Sequence, residues 1–251
     1  MIIQWKVSIP TLAPSLQRRA YIYLPDGWEK SGKRYDVLYM YDGHNVFFDS
    51  HATYGKSWGM KEYLDAAKKD LIVVGIECNP EGNERLFEYC PFDCQIPGWI
   101  EIQGRGKLYM DWLVNTLKPY IDANYPTNPG RDHTIVAGSS MGGLMATYTL
   151  AHYNHIFSRA AALSPSFWIA PDQVDRMLRS GQICPGSRIF LNYGTEEIKG
   201  YEEKVHILDD AVRTLQNMGA GTHFHWVPGG EHNEATWERE IPAFMDFLDI
   251  K

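Results

Sequence analysis

The apolar positions change period in a repeating way along the chain. Residues 36–41 (DVLYMY) and 71–77 (LIVVGIE) are β-rich and apolar at successive positions, which predicts parallel strands buried on both faces. Between them, residues 58–69 (WGMKEYLDAAKK) have helical composition and spacing. The opening segments 2–9 (IIQWKVSI) and 19–24 (RAYIYL) predict a pair of antiparallel strands. Further on, strands are predicted over 133–138, 160–166, 188–194 and 223–229, and helices over 105–124, 144–153, 202–219 and 235–249. In the helix over 105–124, Pro119 predicts a kink or an early stop.

Such alternation predicts an α/β fold, a mostly parallel central sheet with helices on both faces. No repeat and no low-complexity linker interrupts it, so residues 1–251 read as one domain. Residues 79–104 fit neither period and predict a long loop at the rim of a site, or a partial lid over it.

Composition and charge then narrow the classes. With 44% hydrophobic and 22% charged residues, the chain has ordinary globular composition. A net charge of -7 and the lack of any basic run argue against a nucleic-acid partner. No stretch reaches the apolar length of a membrane span, and the first residues lack the basic and apolar regions of a secretion signal. Cytoplasmic location is the default expectation, and self-association into a homo-oligomer stays open. Cys78, Cys90, Cys94 and Cys184 form no zinc pattern and are expected to be free thiols, with a Cys90–Cys94 bridge as the alternative.

Candidate chemistry gathers at VAGSSMGG, residues 136–143. Gly138, Ser140 and Gly142 match G-x-S-x-G between a predicted strand and a predicted helix, the setting in which a serine nucleophile sits on a sharp turn. A side chain at either glycine would crowd that turn, and Ser139 is expected to point away and support it. A serine nucleophile needs a histidine base and an acid that orients the base, in the chain order Ser, acid, His. Of the nine histidines, His232 follows the last strand in the bend GGEHNEATW. The acid is expected just past strand 188–194, where Glu196 and Glu197 compete; Glu197 is favoured because it has cleared the strand edge. The oxyanion hole is expected from the backbone N–H of Met141 and, in the loop after strand 36–41, that of His44, with Gly43 allowing the turn. No second ligand at metal-site spacing accompanies His44, so no metal is expected.

YLPDGW (23–28), VLYMYDGHNVFFD (37–49), GSSMGG, LSPSFW (163–168), GTEE (194–197) and GGEHNEATW (229–237) together span most of the chain. On these segments it resembles the Putative esterase family of α/β-hydrolases. That group includes esterase D, feruloyl and acetylxylan esterases, enterochelin-type siderophore esterases and mycobacterial mycolyltransferases. The resemblance implies an α/β-hydrolase fold and cofactor-free hydrolysis of small esters through Ser140, Glu197 and His232. An acyltransferase on the same residues and a siderophore esterase are the alternatives. Glutamate here replaces the commoner aspartate of the family. For the substrate wall, Trp168, Arg85, Tyr89 and Trp58 are candidates, with Phe47 and Trp99 behind them; aromatic walls would suit a planar acyl group.

Overall fold

The computed structural model describes residues 1–250. Ten strands occur in chain order: β1 (Ile2–Ile9), β2 (Ala13–Tyr23), β3 (Asp36–Met40), β4 (Leu71–Ile76), β5 (Cys94–Ile96), β6 (Ile100–Ile102), β7 (Thr134–Ser139), β8 (Arg159–Leu163), β9 (Arg188–Gly194) and β10 (Gly221–Val227). Eight of them form one sheet in the order β1-β2-β4-β3-β7-β8-β9-β10. The pairs β1–β2 and β2–β4 are antiparallel, and every pairing from β4 to β10 is parallel. The mostly parallel sheet and the antiparallel opening pair are therefore as the hydrophobic pattern predicts.

The period of two sorts the core. Val37, Tyr39, Ile72, Val74 and Val136 face one buried cluster, while Leu38, Met40, Leu71, Val73 and Ile135 face the other. The helices that cover these faces are α1 (Trp28–Ser31), α2 (Met60–Ala67), α3 (Glu84–Glu88), α4 (Gly106–Trp112), α5 (Lys118–Asn124), α6 (Met141–His152), α7 (Pro171–Arg179), α8 (Glu203–Asn217) and α9 (Glu234–Phe247). Residues of α2 and α9 join the second cluster, and residues of α4 to α8 join the first. In α6 every residue from Met141 to Ala151 is buried, as befits a helix hydrophobic all round.

Three expectations change. Pro119 does not stop its helix early; a π-helical turn, Leu113–Leu117, interrupts the α-helix just before it and α5 begins at Lys118. Proline then occupies the first turn of the new segment, where its missing N–H costs least. Helix α7 lies outside the expected elements, although Pro171 in its first turn and the buried Val174, Met177 and Leu178 at helical spacing mark it. Finally, residues 79–104 are not a bare loop. They hold α3 and the antiparallel hairpin β5–β6, with Tyr89, Cys90, Cys94 and Ile102 buried in the core. All four cysteines are free thiols.

Candidate active site

At the carboxyl ends of three neighbouring parallel strands, β3, β7 and β8, the chain turns through a positive φ that side chains seldom adopt. Asp42 has φ 56°, Ser140 φ 59° and Ser164 φ 44°. Ser140 (ψ -122°) is the residue between β7 and α6, and it is held there by three backbone bonds: its N–H donates to Leu163 O at 2.9 Å, and its carbonyl accepts from Leu144 N and from Ser166 N, each at 3.1 Å. A Cβ on Gly138 would lie 2.6 Å from the Gly142 backbone, so only glycine lets the strand and helix approach this closely. At Gly142 the obstacle is instead the Tyr41 side chain, 3.0 Å away. Ser139 ends β7 and is buried, yet it reaches the cavity wall beside Ser140.

Ser140 lines a cavity of 540 Å3 together with His44, Asn45, Arg85, His232 and Glu234. A cleft of similar volume, 560 Å3, lies between α7 and α8 and carries neither serine nor histidine. His232 Nδ1 lies 2.6 Å from Glu197 Oε2, and its ring meets Trp237 edge to face at 5.2 Å. Glu197 is fixed in turn: Oε1 accepts from Ser164 Oγ at 2.7 Å and from the Gly194 N–H at 2.9 Å, and its side chain is 3% exposed. Ser164 Oγ also accepts from Trp237 Nε1 at 2.9 Å. Glu196 points elsewhere, half-exposed and 3.4 Å from Lys199. The fold thus brings Glu197 and His232 together and leaves Glu196 outside. Among the described residues, the hydrogen-bond partner of Ser140 Oγ is Ser166 Oγ at 3.3 Å.

The loop after β3 departs from the sequence expectation in its detail. The turn conformation falls on Asp42, and Gly43 serves a close approach, since a Cβ on it would sit 2.7 Å from Gly75 O of β4. Neither the His44 nor the Met141 backbone N–H donates to any other described residue. His44 Nε2 lies 3.0 Å from Thr53 Oγ1, while Nδ1 is buried without a partner among the described residues. Burial holds the imidazole below its ordinary pKa, which keeps it neutral.

The fold does place ligating groups near His44, contrary to the sequence reading. Ligand atoms of Asp42, His44 and Cys78 lie within 4.8 Å of one another. Both Asp42 oxygens are already taken by Arg85, however, at 2.7 Å each, and burial pushes the Cys78 thiol up, away from the thiolate that a metal binds.

Of the wall candidates, Arg85 alone reaches the cavity. It pairs with Asp42, not with Glu84 or Glu88, which pair with Arg105 and Arg18. Tyr89 is fully buried and its hydroxyl accepts from the Asp42 N–H at 3.1 Å. Trp58 is buried against Trp237, with ring centroids 6.0 Å apart, and Phe47 is buried beside Tyr21. Trp168 packs under Lys204, 5.0 Å from its ring, and Trp99 is exposed beside the β5–β6 hairpin. The aromatic wall expected from sequence is absent from this cavity among the described residues; Tyr54 and Trp237 supply what aromatic surface it has. Ser164, Ser166, Trp237 and Glu234 were not singled out, although all four stand in the quoted segments LSPSFW and GGEHNEATW.

A family model described as "Putative esterase" matches residues 13–248. The YbbA protein of Bacillus subtilis (strain 168) is 25% identical over 188 residues, covering 72% of this chain and 69% of its own length. Esterase Rv1288 of Mycobacterium tuberculosis is 26% identical over 163 residues, which are 64% of this chain and 32% of that esterase. The chain therefore spans about a third of that relative's length. Among solved structures, an IroE-like serine hydrolase from Shewanella oneidensis superposes with a TM-score of 0.76 at 19% identity, covering 99% of this chain and 79% of the other.

Proposed function

The chain belongs to the Putative esterase family, and from that premise we propose that it hydrolyses small carboxylic esters through an acyl-enzyme on Ser140. One observation carries the reading: Ser140, at its strained turn, shares a cavity with His232, whose Nδ1 is fixed to the buried Glu197 at 2.6 Å.

In the proposed cycle Ser140 Oγ swings from Ser166 to the substrate and attacks the ester carbonyl, passing its proton to His232 Nε2. Glu197 accepts from Nδ1–H, which sets the tautomer and stabilises the imidazolium without taking the proton. The N–H groups of Met141 and His44 receive the oxyanion. Collapse expels the alcohol, which leaves with the proton from His232. Water then attacks the acyl-enzyme by the same route in reverse roles, releasing the acid and restoring Ser140. Residues Asn79, Pro80, Gly82 and Arg85 supply one rim of the cavity, consistent with a rim or partial lid built on residues 79–104.

The charge of the wall favours neutral or cationic esters over the anionic, catechol-bearing esters of a siderophore. Arg85 is the single lysine or arginine among the described lining residues, and Asp42 already neutralises it. Turnover of p-nitrophenyl acetate and labelling by a fluorophosphonate test the reading. Ser140→Ala is expected to abolish labelling and to lower kcat by at least about 10³-fold; equal rates in the two proteins would overturn it.

A further inference from the structure

Glu234 opens α9 two residues after His232 and lines the cavity with it and with Ser140. It is 3% exposed, and no lysine or arginine among the described residues lies within ion-pair distance. Oε1 accepts from Asn45 Nδ2 at 3.0 Å, and the residue's own backbone N–H also donates to the carboxyl; no second side chain among the described residues donates to it. The remaining acids around the cavity are all partnered. Asp42 is paired with Arg85, Glu77 with Arg19 at 2.8 Å, and Glu197 with His232 and Ser164.

A carboxylate in the first turn of a helix is favoured by the helix dipole, which accounts for an acidic residue at this position. It does not account for burying one against the cavity with no cation beside it, since an unpaired buried charge is costly. That cost is visible in the burial that holds the Glu234 carboxyl above its ordinary pKa. With Asp42 paired to Arg85 and Glu77 to Arg19, Glu234 is the acid of the wall without a cationic partner among the described residues.

We infer that Glu234 is a recognition residue for a protonated amine on the substrate, whose N–H donates to Oε2 while Asn45 keeps Oε1. The inference rests on the Ser140 reading and narrows its substrate class to esters carrying an ammonium group.

The test is a matched set of ethyl esters differing only in the terminal group: ethyl 3-aminopropanoate, ethyl butanoate, ethyl 3-hydroxypropanoate and monoethyl succinate. The wild type is expected to favour the ammonium ester over ethyl butanoate by about tenfold or more in kcat/KM, with the succinate monoester poorest. In Glu234→Gln the amide oxygen still accepts from Asn45 but the charge is gone, so the ammonium-to-butanoate ratio is expected to fall to about one. A role confined to holding Asn45 would leave that ratio at its wild-type value. A wild-type ratio near one, a ratio retained in Glu234→Gln, or a hydroxyl ester as good as the ammonium ester each overturns the inference. Should the variant not fold, competition in the wild type decides: n-butylammonium must inhibit more strongly than butan-1-ol. Fluorophosphonate labelling separates the two readings. A labelled enzyme with a flat ratio overturns the Glu234 inference alone. An enzyme that neither labels nor turns over any ester overturns the catalytic reading, and calorimetric binding of n-butylammonium then still decides for Glu234.

Discussion

Glu196 and Glu197 are consecutive, yet their side chains enter different environments. They lie in a 3-10 turn, Thr195–Glu197, where three residues make a full turn and neighbours therefore point well apart. Glu197 turns inward to meet His232, Ser164 and the Gly194 N–H, while Glu196 turns out to Lys199. Loss of the inner carboxylate leaves the imidazole without its orienting partner and Ser164 without an acceptor. We expect Glu197→Ala to lower kcat on p-nitrophenyl acetate by about 10²- to 10⁴-fold, and Glu196→Ala to stay within about twofold, as for an exposed ion pair. Equal losses in the two variants would refute the assignment. The competition between these residues was visible in the sequence; its outcome depended on which way a three-residue turn faces.

Among the elements, the segment 79–104 departs most from its sequence pattern. Its polar, glycine- and proline-bearing composition hides a short helix and a hairpin, both too brief to show a period. What holds it is non-local: Glu88 of α3 meets Arg18 of β2 at 2.8 Å, with side chains 2% and 0% exposed, and also accepts from the Asn79 N–H at 2.8 Å. Two further nitrogens of Arg18, Nε and one Nη, find no partner among the described residues, so the guanidinium depends on this carboxylate. Removing it would leave a buried cation unpaired. Glu88→Ala is expected to cost about 3–5 kcal/mol in urea unfolding, and a loss under about 1 kcal/mol would show the pair to be dispensable.

For the molecule as a whole, the cavity exists because parallel strands deliver their carboxyl ends to one edge of the sheet. The Asp42–Arg85 pair ties that edge, at the end of β3, to α3 of the neighbouring segment. Burial works to raise the Asp42 pKa, but the Arg85 charge and its two hydrogen bonds outweigh it, so the carboxyl titrates below its ordinary value. A depressed carboxylate stabilises the fold above its unfolded pKa, about 3.9, and that contribution is lost as pH falls through the lower folded value. Tryptophan fluorescence across an acid titration should show stability falling below about pH 4. In Asp42→Asn the fall should be shallower and the neutral-pH stability lower. An unchanged acid profile in that variant would count against the pair.

The sequence by itself determined the strands of the main sheet, most helices, the parallel pairing and the serine turn, because each is written in short-range terms: a hydrophobic period, a glycine where two backbones meet, a bend before a helix. It also confined the candidate acid to two adjacent residues and the candidate base to one bend. Only the tertiary structure decided which glutamate meets His232, that Ser164 and Trp237 hold that glutamate, that Arg85 is occupied by Asp42, and that Tyr89 and Trp58 are core instead of wall. It alone left Glu234 facing the cavity without a cation. These pairings join residues from the end of β3 to α9 that the strand order of the sheet brings together. No local pattern encodes the distance between the end of one strand and the end of another.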